Sequence, residues 1–203
     1  MTKIKEIYQA DEPILRQIAK PVPLTEIKSA KIKRIIKRMK AALVDEEDGV
    51  AIAAPQIGES LRIFVVAGKW LGQQKNNGKE KPLIDLVCIN PELLSVSKKK
   101  KESEEGCLSA RWLYGKVNRA RNVTIRALDE NGKEFTRGAG GVLAQIFQHE
   151  LDHLEGILFT DKAKDVVEVT PEELAEQKNQ IRWDIYRAGA CERDWREHEE
   201  NFS

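Results

Sequence analysis

Gln148-His149-Glu150-Leu151-Asp152-His153-Leu154-Glu155-Gly156 is the stretch on which the reading of this chain turns. It has the form His-Glu-x-x-His. On a helix, residues i and i+4 lie on one face a turn apart, so His149 and His153 can point at one object. Two imidazoles at that spacing can hold two neighbouring positions of a tetrahedral metal. Glu150 follows the first of them and can lean over the open position, where a base would meet a water. An amphipathic helix with core or surface histidines would show the same pattern. The histidines of the chain are His149, His153 and His198, and two of these three fall inside the motif. A metal site still needs a third ligand.

Outward from this helix the boundaries are legible. Gly138-Ala139-Gly140-Gly141 reads as a breaker before it, and Gly156 as the residue that ends it. Upstream, Asp11 before Pro13 predicts a short capped helix, closed by Pro21 and Pro23. Thr25 or Ser29 caps a longer helix to about Val44, with Ile32, Ile35, Ile36, Met39 and Leu43 on its apolar face. Strands are expected over 61–67, over 83–90 and 93–96 with a break at Asn90-Pro91, over 117–127, and over 133–137 after an Asp129-Glu130-Asn131-Gly132 turn. Residues 70–82 read as a loop or long hairpin connection, Lys98 to Lys101 as a charged turn, and Ile157-Leu158-Phe159 as a short strand. Thr170-Pro171-Glu172-Glu173 opens a helix to about Ala188, before a polar tail. Strands precede one inner helix without regular βαβ alternation. The expected class is therefore α+β, with small mixed or antiparallel sheets packed around a central His-Glu-x-x-His helix and a C-terminal helix.

Composition narrows the function classes. The chain has 203 residues, 41% hydrophobic and 33% charged, with a net charge of +1. So balanced a charge supplies no field that would draw the whole molecule to DNA or to a membrane. No apolar run approaches the roughly 18 residues of a spanning helix, and the N-terminus lacks the apolar core of a signal peptide. Cys88, Cys107 and Cys191 are an odd and sparse set, which suggests free thiols in a reducing compartment, hence the cytoplasm. Lys31, Lys33, Arg34, Lys37, Arg38 and Lys40 share one face of the long helix. That face would suit a transient contact with the ribosome, but it reads first as a solvated surface.

Two sources of a third ligand stand open. An acidic residue downstream, Glu168 or Glu172, would give the layout of a zincin-type metallopeptidase. Cys107, upstream between Gly106 and Leu108, would give a thiolate, a strong ligand for borderline metals. A buried free cysteine is the more common fate of an isolated Cys.

Three segments together resemble the peptide deformylases: Gly49-Val50-Ala51-Ile52-Ala53-Ala54-Pro55-Gln56, then Glu105-Gly106-Cys107-Leu108-Ser109, then Gln148 to Gly156. Val117 to Ala120, the N-terminal Asp-Glu-Pro-x-Leu-Arg and Ile89 to Leu93 fit as well, so the likeness spans about residues 4 to 165. The resemblance implies a catalytic domain over 1–170, with 171–203 as helix and tail of the same domain. It implies that Cys107, His149 and His153 bind one divalent metal, iron(II) in the cell, with zinc, nickel or cobalt as substitutes. The implied reaction removes the formyl group from the N-terminal methionine of newly made polypeptides. Metal-bound hydroxide attacks, Glu150 is base and then acid, and the Gln56 amide and the Leu108 backbone N–H stabilise the oxyanion. An extended peptide would pair near Gly49 to Ala51 and Gly106, and the methionine would enter a pocket of Val50, Val142, Ile146 and His149. Glu105 and Arg119 match positions that pair in the family.

The sequence also departs from the family. Ala51 stands where the first motif usually has glycine, and Ala110-Arg111 where the second usually has an aliphatic residue and proline. From Glu172 to Glu200, nine acids face five bases, so a basic ribosome-docking C-terminal helix is not expected.

Overall fold

Alternation along the strands decides where the two long helices lie. The computed structural model describes residues 7–46, 49–71, 75–76, 79–80, 84–170 and 172–173. In chain order its main elements are α1 (Ala30–Asp45), β1 (Ala51–Ala53), β2 (Ile63–Val66), β3 (Lys75–Asn76), β4 (Lys79–Glu80), β5 (Leu86–Val96), β6 (Lys100–Cys107), β7 (Ala110–Ala120), β8 (Asn122–Leu128), β9 (Glu134–Gly140), α2 (Gly141–Leu154) and β10 (Lys164–Glu168). Five strands form one sheet in the order β1-β2-β5-β8-β9, and three form a second in the order β10-β7-β6. The neighbours in the five-stranded sheet all run antiparallel.

One face of the five-stranded sheet carries Ile52, Ile63, Val65, Val87 and Ile89, which pack with Ile32, Ile35, Ile36, Met39 and Leu43 of α1. The intervening residues Ala53, Phe64, Val66 and Cys88 point the other way, to Ala144, Ile146, Phe147 and Leu154 of α2. Successive side chains of a strand alternate between faces, so one sheet buries a helix on each side. Each aliphatic or aromatic side chain fully buried in these layers contributes roughly 1.5–3 kcal/mol. The active helix is thus held by a core rather than by a loop.

The α+β class holds, and Ser29 caps α1, its Oγ accepting the Ile32 N–H at 3.3 Å. Several boundaries moved. The first helix is a 3-10 turn over Pro13–Arg16 with Glu12, not Asp11, before it, and no side chain caps it. Asn90-Pro91 does not break the strand. Asn90 takes φ +50° and its side chain bonds both the N–H and the carbonyl of Val22, so β5 continues through a bulge. The lysine run divides: Lys98 and Lys99 form the expected turn, while Lys100 and Lys101 open β6, which pairs with β7 from Lys100↔Ala120 to Cys107↔Ala110. Hairpin pairing overrides the poor strand propensity of its charges. The expected strand over 117–127 is two, broken at Arg121, where the chain leaves one sheet for the other. Gly138 to Gly140 are strand residues opposite Thr124 to Asn122, and Gly141, at φ +57°, turns the chain into α2. Ile157 to Phe159 is not a strand; a 3-10 turn runs Phe159–Asp161.

By compactness the chain forms two units, Met1–Val166 and Val167–Ser203. In the second, Thr170 and Glu173 cap each other reciprocally, as the sequence predicts for a helix start. The rest of the expected C-terminal helix and tail, with Cys191 and His198, lies outside the described residues, as does much of the 70–82 connection.

Candidate metal centre

α2 ends at Leu154, with Gly156 at φ +71° just beyond, and carries His149, Glu150 and His153 on its last turns. Gln148 locks this helix to β7. Its Oε1 accepts the Ala120 N–H at 2.9 Å, and its Nε2 donates to the Ala120 carbonyl at 3.0 Å. Cys107 arrives from the other side, as the last residue of β6. Gly106 before it leaves room for Tyr114, whose ring a Cβ there would meet at 2.7 Å. Ser109 folds back, its N–H 3.4 Å from the Cys107 Sγ.

The potential ligand atoms of Cys107, His149 and His153 all lie within 4.8 Å of one another, and Cys107 Sγ is 3.2 Å from His153 Nε2. Ligand atoms at ordinary metal–sulfur and metal–nitrogen distances stand about 3.5 Å apart on a tetrahedron. One thiolate and two imidazoles converging in this way fit a borderline divalent ion. Among the described residues, this is the group that could hold a metal, and no carboxylate belongs to it. His149 Nδ1 meets Glu105 Oε2 at 3.0 Å, which leaves Nε2 free to face an ion. His149 also stacks on Phe159.

Beneath His149 lies a buried ion network. Arg119 bonds both oxygens of Glu105, at 2.7 and 2.8 Å, and Asp152 at 2.6 Å; Asp152 also takes Lys162. Burial tends to raise the Glu105 carboxyl, but Arg119 and His149 outweigh it and hold it at about 2. Burial likewise opposes a charged Cys107. The two histidines beside it nevertheless bring its thiol well below the usual range. For His149, burial opposes the charge, and the Cys107 and Glu105 partners raise it well above an ordinary histidine. Glu150 is different: burial is the main cause, and it pushes the carboxyl up to about 7. Its Oε2 is buried with no partner among the described residues, as is His153 Nδ1.

Gln56 is buried and fixed at both ends. Its Oε1 accepts the Ala53 N–H at 2.7 Å, which turns Nε2 toward Ser109 Oγ at 3.0 Å and Cys107 Sγ at 3.6 Å. The amide therefore caps a turn and also points at the centre.

A family model described as polypeptide deformylase matches residues 4–169. The chain belongs to this family. Peptide deformylases are hydrolases that act on formylated N-termini. The chain is 44% identical over 159 residues to a peptide deformylase of Halothermothrix orenii, covering 78% of this chain and 93% of that one. It is 41% identical to one from Carboxydothermus hydrogenoformans, across 81% and 96% of the two. Among solved structures, the Met-Ala-Ser-bound class I type b peptide deformylase of Acinetobacter baumannii superposes with a TM-score of 0.69 at 34% identity, covering 80% of this chain and 99% of that one. The peptide deformylase of Thermotoga maritima gives 0.67 at 32%, covering 79% and 97%.

Of the residues singled out for substrate, Val50 and Ile146 join the α2-side core, whereas Val142 is exposed. β1, with Ala51, is an edge strand of the five-stranded sheet, and β6, with Gly106, is an edge strand of the three-stranded one, where Gln145 bonds the Glu104 carbonyl at 2.7 Å. Sequence reasoning assigned no role to Ser109, Asp152, Phe159 or Gln9. Ser109 and Asp152 lie inside the deformylase motifs, and their position was the available signal; Phe159 and Gln9 act only through tertiary contact.

Proposed function

We propose that this deformylase cleaves the formyl amide of N-formylmethionyl peptides at the centre formed by Cys107, His149 and His153. The observation that carries the reading is the convergence of those three ligand atoms within 4.8 Å, with the buried Glu150 next to His149 on the same helix. A bound divalent ion would supply a Lewis acid and a water of lowered pKa.

The protein's own groups do the rest. Glu150 takes the proton from the attacking water, holds it on its unpartnered Oε2, and delivers it to the methionine nitrogen as the C–N bond breaks. Formate and a free amine are the products. The formyl oxygen gains negative charge during attack. The Gln56 Nε2–H and the Leu108 backbone N–H receive it, and one such donor is typically worth roughly 3 kcal/mol in the transition state. The peptide lies extended, bonded to the edges near Gly49 to Ala51 and Gly106. Val50 and Ile146, with exposed Val142 at the rim, take the methionine side chain. That a relative's structure is bound to Met-Ala-Ser supports a methionyl peptide as the ligand.

The thiolate-and-imidazole set suits iron(II), with zinc, nickel and cobalt as substitutes, and the sparse free cysteines suit the cytoplasm. No described helix is long and apolar enough to cross a membrane. Residues 1–170 would act as the catalytic domain, with 171–203 as its helix and tail. On α1, Arg38 pairs with Glu59 and Lys40 with Glu130. Among the described residues this leaves Lys31, Lys33, Arg34 and Lys37 as the stripe that a transient ribosome contact would use.

The test is anaerobic purification and metal analysis, followed by assay of formyl-Met-Ala-Ser. Glu150→Gln should keep a full complement of metal and lose turnover by about 10²–10⁴-fold. Cys107→Ala should lose the metal itself. Turnover near wild type in Glu150→Gln would refute the mechanism.

A further inference from the structure

Two hydrogen bonds from the N-terminal segment reach the backbones of both residues assigned to the oxyanion. The Tyr8 N–H donates to the Gln56 carbonyl at 2.9 Å. Gln9 Nε2 donates to the Leu108 carbonyl at 3.2 Å, across 99 positions of sequence, and to the Ile7 carbonyl at 3.0 Å. We propose that Gln9 is a positioning residue for catalysis, aiming the Leu108 N–H at the developing oxyanion. The proposal rests on the deformylase mechanism above.

The reasoning is geometric. The Leu108 N–H belongs to the peptide plane between Cys107 and Leu108. On one flank, Cys107 Sγ is held by the Ser109 N–H and lies against His153. On the other flank, the Leu108 carbonyl has Gln9 as its side-chain partner. Holding both flanks restricts the rotation of that N–H about the Leu108 backbone. A donor aimed before the reaction costs no reorganisation when charge develops, and this is how such donors gain their value.

The anchor of Gln9 is itself firm. Ile7 and Leu108 both pack against the α1-side core, and Tyr8 lies so close to Gly58 that a Cβ there would stand 2.9 Å from its ring. Because Gln9 acts on the N–H through the carbonyl of the same residue, its loss should affect the transition state more than substrate binding.

Three variants test this in the metal-loaded protein with formyl-Met-Ala-Ser. Gln9→Glu keeps the shape but sets an acceptor against the Leu108 carbonyl; kcat should fall about tenfold, with KM within about twofold. Gln9→Lys retains a donor and should recover most of kcat. Gln9→Met removes the donor without adding charge, and gives the same reading if the Glu variant does not fold. In the metal-free protein, the Leu108 amide resonance should shift in Gln9→Glu and return in Gln9→Lys, a readout independent of turnover. The proposal is overturned if kcat is unchanged in Gln9→Glu, if kcat falls only in step with Tm and metal content, or if Gln9→Lys rescues neither kcat nor the resonance. Absence of turnover in the wild type would refute the deformylase mechanism instead, while the resonance would still test the positioning.

Discussion

Gln56 carries an amide whose two ends have different tasks. Its oxygen is committed to Ala53 and one of its N–H bonds to Ser109 Oγ, so the second is left toward the Cys107 side. Ser109 is fully buried, and its hydroxyl therefore has no water to replace this partner. Ser109→Ala should leave the Ala53 bond in place and free Nε2 to rotate. We expect kcat for formyl-Met-Ala-Ser to fall about fivefold to tenfold, with metal content unchanged, because a loosened donor loses part of its preorganisation. An unchanged kcat would mean that the Ala53 bond alone orients the amide. The role of Gln56 is suggested by its place in a motif. The choice of which amide atom faces Cys107 is made by Ala53, which no motif marks as a partner.

At the scale of elements, the end of α2 meets the N-terminal segment. Gly156, in the left-handed region at φ +71°, follows the last turn. A Cβ there would stand 2.7 Å from the backbone carbonyl carbon and oxygen of Arg16, and the Ala19 N–H bonds the Leu154 carbonyl nearby at 2.9 Å. Gly156→Ala therefore meets both a backbone penalty and a contact that cannot be relieved by rotating a side chain. We expect a loss of about 2–4 kcal/mol, read as a lower urea midpoint with the slope unchanged. A change below about 0.5 kcal/mol would show that the N-terminal segment shifts freely off the helix end. The glycine itself was readable as a helix terminator. Its contact with Arg16 was not, because the contact joins segments about 140 residues apart.

Across the whole molecule, the Arg16–Asp161 ion pair ties the same N-terminal turn to the segment after α2. Burial tends to raise the Asp161 carboxyl, but the Arg16 bond and the Leu158 N–H outweigh it and lower it. A carboxyl lowered on folding stabilises the protein at pH above its unfolded value, about 3.9, and loses that contribution as pH falls through the folded value. Asp161→Asn should therefore destabilise the protein at pH 7 by less than about 1 kcal/mol, because both side chains are largely solvated. The difference should vanish toward pH 2. Urea midpoints of the two proteins across that range would show it, and a gap that persisted in acid would assign the effect to something other than this charge.

Local chemistry determined much of this protein. The i, i+4 histidines, the Thr170–Glu173 capping box and the α1 apolar stripe depend on neighbours within one turn, so the residues alone announce them, and they narrow the α1 cap to Thr25 or Ser29. The three deformylase motifs are short and ordered, and they named the metal-ligating and oxyanion candidates. The tertiary structure alone decided three other things. It decided that β6 and β7 carry a run of charged residues as a hairpin, because pairing outweighs propensity. It decided that Asn90-Pro91 is a bulge rather than a break, because Val22 occupies the Asn90 side chain. And it decided that Cys107 stands beside His149 and His153. That choice requires a sheet edge and the end of a helix to meet in space, and no periodicity along the chain records such a meeting.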